Sequence, residues 1–198
     1  MLQYYNNTTK TLIIPYDFNE VLKDIPDDTE IIIFDEDNEN EKNSKFNQEI
    51  KENILPDSLH TLTLGYSFNQ EIKENVLPNN LHTLTFGDNF NQEIKEDILP
   101  GNLHTLIFGF HFNQEIKENV LPKSIKKIGL YSHCNLINNL PLQIEEVCIK
   151  FNKYYDEYNK EVNNLPITLK KIVIENEKNL KYITKIPFGC EIIIQKIE

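Results

Sequence analysis

The sequence predicts an α/β solenoid, with a parallel β-sheet of about nine strands on one side and short helical or irregular returns on the other. Three observations predict it. A decapeptide close to FNQEIKENVL begins at residues 46, 68, 90 and 112, at steps of 22. Prolines recur in the same register, and an apolar run with β-like alternation follows each one. A fixed period of this length indicates stacked repeats, because one repeat cannot bury its apolar face alone.

The strand candidates follow the prolines. Eight of the nine prolines stand shortly before an alternating run, and an earlier run has the same pattern. The candidates are 9–14, 29–34, 59–64, 81–86, 103–108, 125–130, 144–149, 169–174 and 190–195. Successive side chains of a strand point to opposite faces. Leu62 and Leu64, with their equivalents in the other repeats, are therefore predicted core residues.

The decapeptide is predicted to be the returning half of each coil. Gly65 and its equivalents mark a turn after the strand. Phe68, Ile72 and Val76 lie at steps of four, which fits a short α- or 3₁₀-helix with Asn69 as a candidate N-cap, although an irregular return and a parallel β-helix stay open. We expect the phenylalanines in the core, the charged residues in water, and a ladder formed by Asn69, Asn91 and Asn113.

The departures from the period predict the domain organisation. All 198 residues are predicted to form one repeat domain, with caps near 1–26 and 187–198. The polar, mostly acidic insertion at 35–45 is predicted to be an exposed, mobile loop. The segment after residue 150 is longer than in the other repeats and should bulge.

Composition excludes several function classes. The net charge is −11 and the chain contains no Arg, which disfavours nucleic acids and anionic membranes as partners. No apolar stretch is typical of a signal peptide or a membrane span. Three widely spaced cysteines indicate free thiols and an intracellular, cytoplasmic protein. We find no catalytic motif, so we expect no enzyme and no cofactor.

The sequence resembles the FNIP repeat in three motifs that recur at this period: FN-Q-x-I, L-P-x-x-L-x-x-L and G-x-x-FN. The resemblance rests on Phe-Asn pairs and prolines, at 46–47, 68–69, 90–91, 112–113, 56, 78, 100 and 122. It implies a leucine-rich-repeat-like fold without established catalytic residues, of a kind known from amoebae and their giant DNA viruses. It also implies protein–protein interaction. Some relatives carry an F-box before the repeats; strand candidates here begin near residue 9, so none is expected. An adaptor of a ubiquitin ligase without its own F-box is an alternative.

The exposed face of the sheet is the predicted partner-binding surface, because leucine-rich repeats commonly bind ligands there. The competing interpretation is that Thr is simply a good exposed strand former. The candidate residues are Thr61, Thr63, Thr83, Thr85, Thr105, Ile107, Lys127, Glu146 and Lys171.

A metal site is a further alternative. His60, His82 and His104 share one register, and stacked strands should bring their rings close together. A column of rings does not converge on one point as a tetrahedral site requires, so the main prediction contains no metal.

The end strands suggest self-association. The runs Ile31–Ile33 and Ile192–Ile194 are apolar on both faces and need a cover. Open sheet edges invite pairing with another chain. We therefore expect a homodimer, and exchange of the N-terminal segment about the insertion at 35–45 is one route to it.

Overall fold

A computed structural model of the protein describes residues 4–34, 42–117 and 119–195. Within these ranges, ten strands form one sheet in chain order. They are β1 (Tyr5–Asn6), β2 (Thr11–Ile14), β3 (Ile31–Phe34), β4 (Thr61–Thr63), β5 (Thr83–Thr85), β6 (Thr105–Ile107), β7 (Lys127–Tyr131), β8 (Glu146–Lys150), β9 (Lys171–Ile174) and β10 (Glu191–Ile194). Strands β2 to β10 are parallel, which confirms the predicted solenoid and its nine strands.

Strand β1 is an addition that the repeat did not predict. It pairs antiparallel with β2, with Tyr5 opposite Leu12. The connecting turn is held by the Asn6 Oδ1 atom, which accepts hydrogen bonds from the backbone N–H groups of Thr8 and Thr9. This short antiparallel strand covers the first edge of the parallel sheet, where an open edge would otherwise invite pairing.

The strand register places the predicted apolar columns in the core. Leu62 lies beside Leu84, and Leu84 beside Leu106, in consecutive parallel pairs. All three side chains are fully buried. The column continues through Ile128, Val147 and Ile172, so each coil covers the apolar face of the one before it.

The phenylalanines of the decapeptide also lie in the core, as predicted. Phe46, Phe68, Phe90 and Phe112 stack with ring centroids 5.9, 6.2 and 6.1 Å apart. A second phenylalanine column packs against the first, with Phe86 3.8 Å from Phe90 and Phe108 3.8 Å from Phe112. Such offset ring pairs add to the stabilisation that comes from burying their area.

The returns of the regular repeats are irregular, so the helical alternative was wrong there. Each of them contains a residue with a positive φ, which a helix interior does not allow. These residues are Asn53, Asn75, Asp97 and Asn119, the residue types that adopt this conformation most readily after glycine. Three later returns do contain short 3₁₀-helices, at Asn135–Asn138, Asp156–Tyr158 and Glu177–Tyr182.

Asn69 therefore caps no helix, but the predicted asparagine ladder is present. The Asn47 Oδ1 atom accepts hydrogen bonds from the Asn69 backbone N–H at 2.9 Å and from the Gln70 side chain at 3.1 Å. Asn69 and Asn91 repeat this pattern toward the next coil. The asparagine of each FNQ sequence thus accepts a hydrogen bond from a backbone N–H group of the next coil, which makes it part of the scaffold.

The charged residues of the returns face water, as expected, and pair between coils. Lys73 bonds Glu49 at 2.5 Å, Lys95 bonds Glu71 at 2.5 Å and Lys117 bonds Glu93 at 2.9 Å. Exposed pairs of this kind contribute about 0–1 kcal/mol each. They help to fix the register of the coils more than they stabilise the fold.

The insertion loop ends earlier than the predicted residue 45. Residues 35–41 lie outside the described residues, but Ser44 is buried and belongs to a coil. Its carbonyl oxygen accepts a hydrogen bond from the Ser67 backbone N–H at 3.1 Å. Ser44 belongs to the coil because it occupies the position that Tyr66 occupies in the next coil.

No described helix has the length and apolar character needed to cross a bilayer.

Candidate functional site

The predicted partner-binding residues form two groups in the structure. The first, here called the threonine face, consists of Thr61, Thr63, Thr83, Thr85, Thr105 and Ile107 on strands β4–β6. All six side chains are half-buried and point away from the core. Except for Thr61, whose hydroxyl lies 3.4 Å from His60, the threonine hydroxyls form no hydrogen bond with any described residue. These hydroxyls are free to bind a ligand.

The second group, Lys127, Glu146 and Lys171, is bound to itself. The two lysine ammonium groups lie 2.9 and 3.0 Å from the Glu146 carboxylate, on three adjacent strands. Partial burial would raise the pKa of Glu146, but the two lysines outweigh it and hold that pKa below its ordinary value. These three side chains therefore already form ion pairs with one another in the free protein.

A second row of charged residues lies one position earlier in the chain, immediately before strands β7, β8 and β9. Lys126 and Lys170 lie 3.3 and 2.5 Å from the Glu145 carboxylate. The sequence contained the signal for both rows, since KK, EE and KK stand at equivalent positions in three consecutive repeats. Opposite charges on adjacent strands fix the register of the pairing.

The histidine column forms only in part. The rings of His82 and His104 lie 5.4 Å apart, whereas His60 Nε2 lies 3.2 Å from a Glu30 carboxylate oxygen. In the part of the chain that the structure describes, no three His, Cys, Asp or Glu side chains are arranged to hold a metal ion. The structure gives the metal alternative no site among these residues.

A groove that the sequence did not predict runs along the edge where the strands end. It has a volume of about 770 Å³. We call it the aromatic groove, and its defining residues are Tyr66, Phe110, Tyr131, Tyr155 and Tyr158, with the carboxylates of Asp88 and Glu175. The bulge predicted after residue 150 contributes Tyr155 and Tyr158, so the departure from the period has a structural role.

The local sequence explains how these rings reach the groove. Tyr66, Asp88 and Phe110 occupy one position in successive coils, just after the turn glycine. Tyr131 ends strand β7, and its ring meets the edge of Phe110 at a centroid distance of 5.0 Å. A signal was present in the sequence, in the YYDEY segment and in the aromatic residues after the glycines, but no local rule says that these segments meet.

Two carboxylates of the groove act on Tyr131. Burial raises the pKa of the Tyr131 phenol, and the negative charges of Asp88 and Glu175 raise it further. One Asp88 oxygen accepts a hydrogen bond from the Phe110 backbone N–H at 3.0 Å. Neither carboxylate forms an ion pair with any described residue. Lys150 and Lys153 also line the groove, so its carboxylates and ammonium groups are equal in number.

The repeat units that carry the threonine face match a known family. The family described as FNIP Repeat matches residues 46–89, 68–111, 90–132 and 112–151, in overlapping windows that span more than half of the chain. The chain belongs to the FNIP repeat family. The parallel coils continue on both sides of the matched region, through β2 and β3 and through β9 and β10.

One solved structure resembles this FNIP repeat chain over most of its length. It is CroV588, described as a novel circular LRR protein structure, with a TM-score of 0.65 and 34% identity. The similarity covers 90% of this chain and 26% of that one, so the chain spans about a quarter of CroV588. No curated protein matches the chain. The predicted leucine-rich-repeat-like fold is confirmed, and folds of this kind are generally non-enzymatic scaffolds.

His133 lies behind the aromatic groove of the FNIP repeat chain and supports it. Its Nε2–H donates to the Phe110 carbonyl oxygen at 2.7 Å, so Nδ1 carries no proton. That Nδ1 atom is buried, and no described residue hydrogen-bonds to it. Burial lowers the pKa of His133, assisted by the charges of Lys160 and His111, although the hydrogen bond to Phe110 opposes the shift. His133 is therefore a neutral imidazole that packs against the rings of Phe110 and Tyr131.

Acidification is expected to destabilise the fold through His133. Its pKa is lowered in the folded state, so below its ordinary value of 6.5 the unfolded chain binds a proton that the folded chain excludes. The free energy of unfolding should be at its plateau above this pH and fall as the pH drops toward the folded-state pKa. Urea denaturation at several pH values between about 8 and 5 should show a shallower fall in His133→Gln, whose amide can still donate to Phe110. Equal slopes in both proteins would contradict this assignment.

The last three coils carry an exposed apolar stripe. Leu142, Ile167 and Phe188 each follow the proline of their coil, and they are 63%, 83% and fully exposed. Central coils have Asp57, Asn79 and other non-apolar residues at this position. The stripe lies next to β10, whose outer edge pairs with no described strand.

Proposed function

We propose that this FNIP repeat protein is a non-enzymatic scaffold that binds a protein partner through the threonine face. The observation that carries the proposal is a continuous surface across three repeats, half-exposed, with four hydroxyls unused by the described part of the chain. Parallel pairing on both sides holds these side chains at fixed spacing. A rigid, preformed surface costs little conformational entropy on binding.

The cysteine chemistry supports a non-enzymatic role. Burial raises the thiol pKa of Cys134 and of Cys148, and a thiol rather than a thiolate is a poor nucleophile. Cys148 lies on strand β8 and Cys134 in the turn after strand β7, and both side chains are buried. All three cysteines are free, which fits a reducing compartment and the proposed cytoplasmic location.

The partner is a host protein or a second copy of this chain. Exchange of the N-terminal segment stays a prediction, because residues 35–41, which hold most of its hinge, lie outside the described residues. The other end gives the better support for self-association, since β10 has an open edge beside the exposed stripe of Leu142, Ile167 and Phe188. A dimer across that end would leave the threonine face available.

A charge-pair variant tests the threonine face. Thr63→Glu combined with Thr85→Lys places opposite charges on adjacent strands, where they can pair as Lys127 and Glu146 do. In affinity capture from a lysate of the natural host cells, proteins retained by the wild type should be lost. The matched control, Asn79→Glu with Gly101→Lys, adds the same charges at exposed positions outside the sheet and should retain them.

Light scattering identifies a self partner in the same experiment. A mass of 23.3 kDa indicates a monomer, and twice that mass a dimer. The proposal is wrong if the face variant retains every captured protein. It is equally wrong if the wild type captures nothing and is either a monomer or a dimer that the face variant also forms. A captured ubiquitin-ligase component would favour the adaptor alternative.

A further inference from the structure

We propose that the aromatic groove is a second binding site, and that it takes a short, linear, uncharged oligosaccharide. This goes beyond the proposed function and does not depend on it, since the groove lies at the edge of the sheet and not on the threonine face. The length of the groove, its accessible tyrosine rings and its balanced charges together fit this class of ligand.

The groove is elongated along the stack of coils. Between Tyr66 after β4 and Glu175 after β9, each of six consecutive coils contributes at least one lining residue. Neighbouring strands lie about 4.8 Å apart, so five strand steps give a length of roughly 24 Å. A pyranose ring advances a sugar chain by about one strand spacing, so the groove has room for roughly four or five linked rings.

One wall of the groove presents tyrosine rings to solvent. Tyr154, Tyr155 and Tyr158 are 78%, 56% and 53% exposed, and all three come from the long coil. Exposed apolar surface that is gathered in one place marks a binding site. Tyr155 and Tyr158 meet edge to face with centroids 5.7 Å apart, so their relative orientation is fixed. The electron-rich face of such a ring attracts the polarised C–H groups on the face of a pyranose.

The charged groups of the groove balance one another in number. Asp88 and Glu175 contribute two carboxylates, and Lys150 and Lys153 contribute two ammonium groups. Among the described residues, none of these four side chains forms an ion pair. Equal numbers of opposite charges favour neither an anion nor a cation, so they fit a ligand without charge.

The same charged groups offer hydrogen bonds along the groove. A carboxylate only accepts and an ammonium only donates, whereas a sugar hydroxyl does both. Asp88 keeps one oxygen free after accepting the Phe110 N–H, and Glu175 accepts no hydrogen bond from the described residues. These two carboxylates follow β5 and β9, so they would meet hydroxyls of different rings in one sugar chain. Hydrogen bonds to ionised groups are the stronger kind, so an uncharged ligand gains from them.

A proline-rich peptide is the competing occupant, because such segments also bind grooves lined by aromatic rings. Proline has no N–H group, so its rings would cover the Asp88 and Glu175 carboxylates without donating to them. Covering a charged group without a hydrogen bond is costly. A sugar chain meets the tyrosine rings with its C–H faces and the carboxylates with its hydroxyls, so it satisfies both kinds of lining group.

The test is saturation-transfer NMR on the full chain with uncharged linear hexasaccharides. The probes are the starch-type and cellulose-type hexamers of glucose, and the hexamers of mannose, xylose and N-acetylglucosamine. We expect at least one hexamer to receive saturation from the protein. Its affinity should rise with chain length from the disaccharide to about the pentasaccharide and then level off, since the groove spans roughly five strand steps.

Two pairs of substitutions locate the site. Tyr155→Ala with Tyr158→Ala removes two exposed rings of the groove wall, and the Kd of the best hexasaccharide should rise at least about tenfold. Ile167→Ala with Phe188→Ala removes two exposed apolar side chains outside the groove, and this control should bind as the wild type does. The charge-pair variant of the threonine face should also bind normally, which separates this proposal from the proposed function.

Two further measurements test the chemistry of the contact. Tyr155→Phe with Tyr158→Phe keeps both rings, so the Kd should stay within about threefold of the wild-type value. At about 1 M salt, where the Debye length is about 3 Å, the affinity for an uncharged chain should change by less than about twofold.

Several outcomes would overturn the proposal. A lack of saturation transfer to every hexamer would show that the groove takes no such sugar chain. Equal loss in the ring variant and in the outside control would place binding elsewhere. Equal affinity for the disaccharide and the hexasaccharide would contradict an elongated site. Tighter binding of a sulfated hexamer, or loss of binding at high salt, would show a charged ligand. Binding of a decaproline peptide in place of the hexamers would assign the groove to a proline-rich segment.

Discussion

Phe90→Ala is expected to lower the free energy of unfolding by about 3–5 kcal/mol. Phe90 is 1% exposed and lies between Phe68 and Phe112 in the ring stack, with Phe86 packed on its other side at 3.8 Å. Removing the ring leaves a cavity in the middle of the solenoid, where coils on both sides limit collapse. Urea denaturation followed by circular dichroism measures the change.

The chain offers a matched control for this substitution. Phe188 is fully exposed in the last coil, and Phe188→Ala should change the free energy of unfolding by less than about 0.5 kcal/mol. The two variants delete the same atoms, so their difference isolates the effect of burial. A Phe90→Ala protein as stable as the Phe188→Ala protein would refute the core position of the decapeptide's phenylalanine.

Gly87→Ala is expected to cost about 3 kcal/mol of stability, at the upper end of what overpacking causes. A Cβ atom at Gly87 would lie 2.1 Å from the Gly65 carbonyl oxygen and 2.8 Å from the Tyr66 backbone nitrogen. Both atoms belong to the backbone of the preceding coil, so relief requires the two coils to separate. Thermal unfolding should show a clear fall in melting temperature.

Gly101→Ala is the matched control for the glycine experiment. No atom lies within 4 Å of a Cβ at Gly101, and its φ is not in the positive region. The added methyl reduces the freedom of the unfolded chain, so we expect a change between zero and a gain of about 1 kcal/mol. Equal effects of the two glycine substitutions would mean that the coils are not in close contact at Gly87.

The sequence by itself determined the coil and its core. The period of 22 and the proline register determined which residues occupy equivalent positions in successive coils. Alternation within each run determined which of them point inward. Leu62, Phe68 and Asn69 were placed correctly because their neighbours in space are their own equivalents in the next repeat. In a repeat protein, the local sequence pattern therefore predicts contacts between residues that are far apart in the chain.

The path of each return was decided by tertiary structure. The steps of four between Phe68, Ile72 and Val76 fit a helix, but stacked coils require those side chains to reach the core from an extended segment with a turn at Asn75. Burial of the apolar positions outweighs a weak helical preference in so short a segment, because the nucleus of a helix is costly.

Only the tertiary structure revealed the surfaces between non-equivalent residues. Lys127 and Lys171 were predicted to face a partner, and the structure pairs both with Glu146. The aromatic groove joins Tyr66 and Phe110, from regular repeats, to Tyr155 and Tyr158, from the coil that breaks the period. A repeat pattern relates each residue to its own copies. Where unlike coils meet, the contacts depend on how far the longer loop reaches across the edge of the sheet, and the period holds no information about that distance.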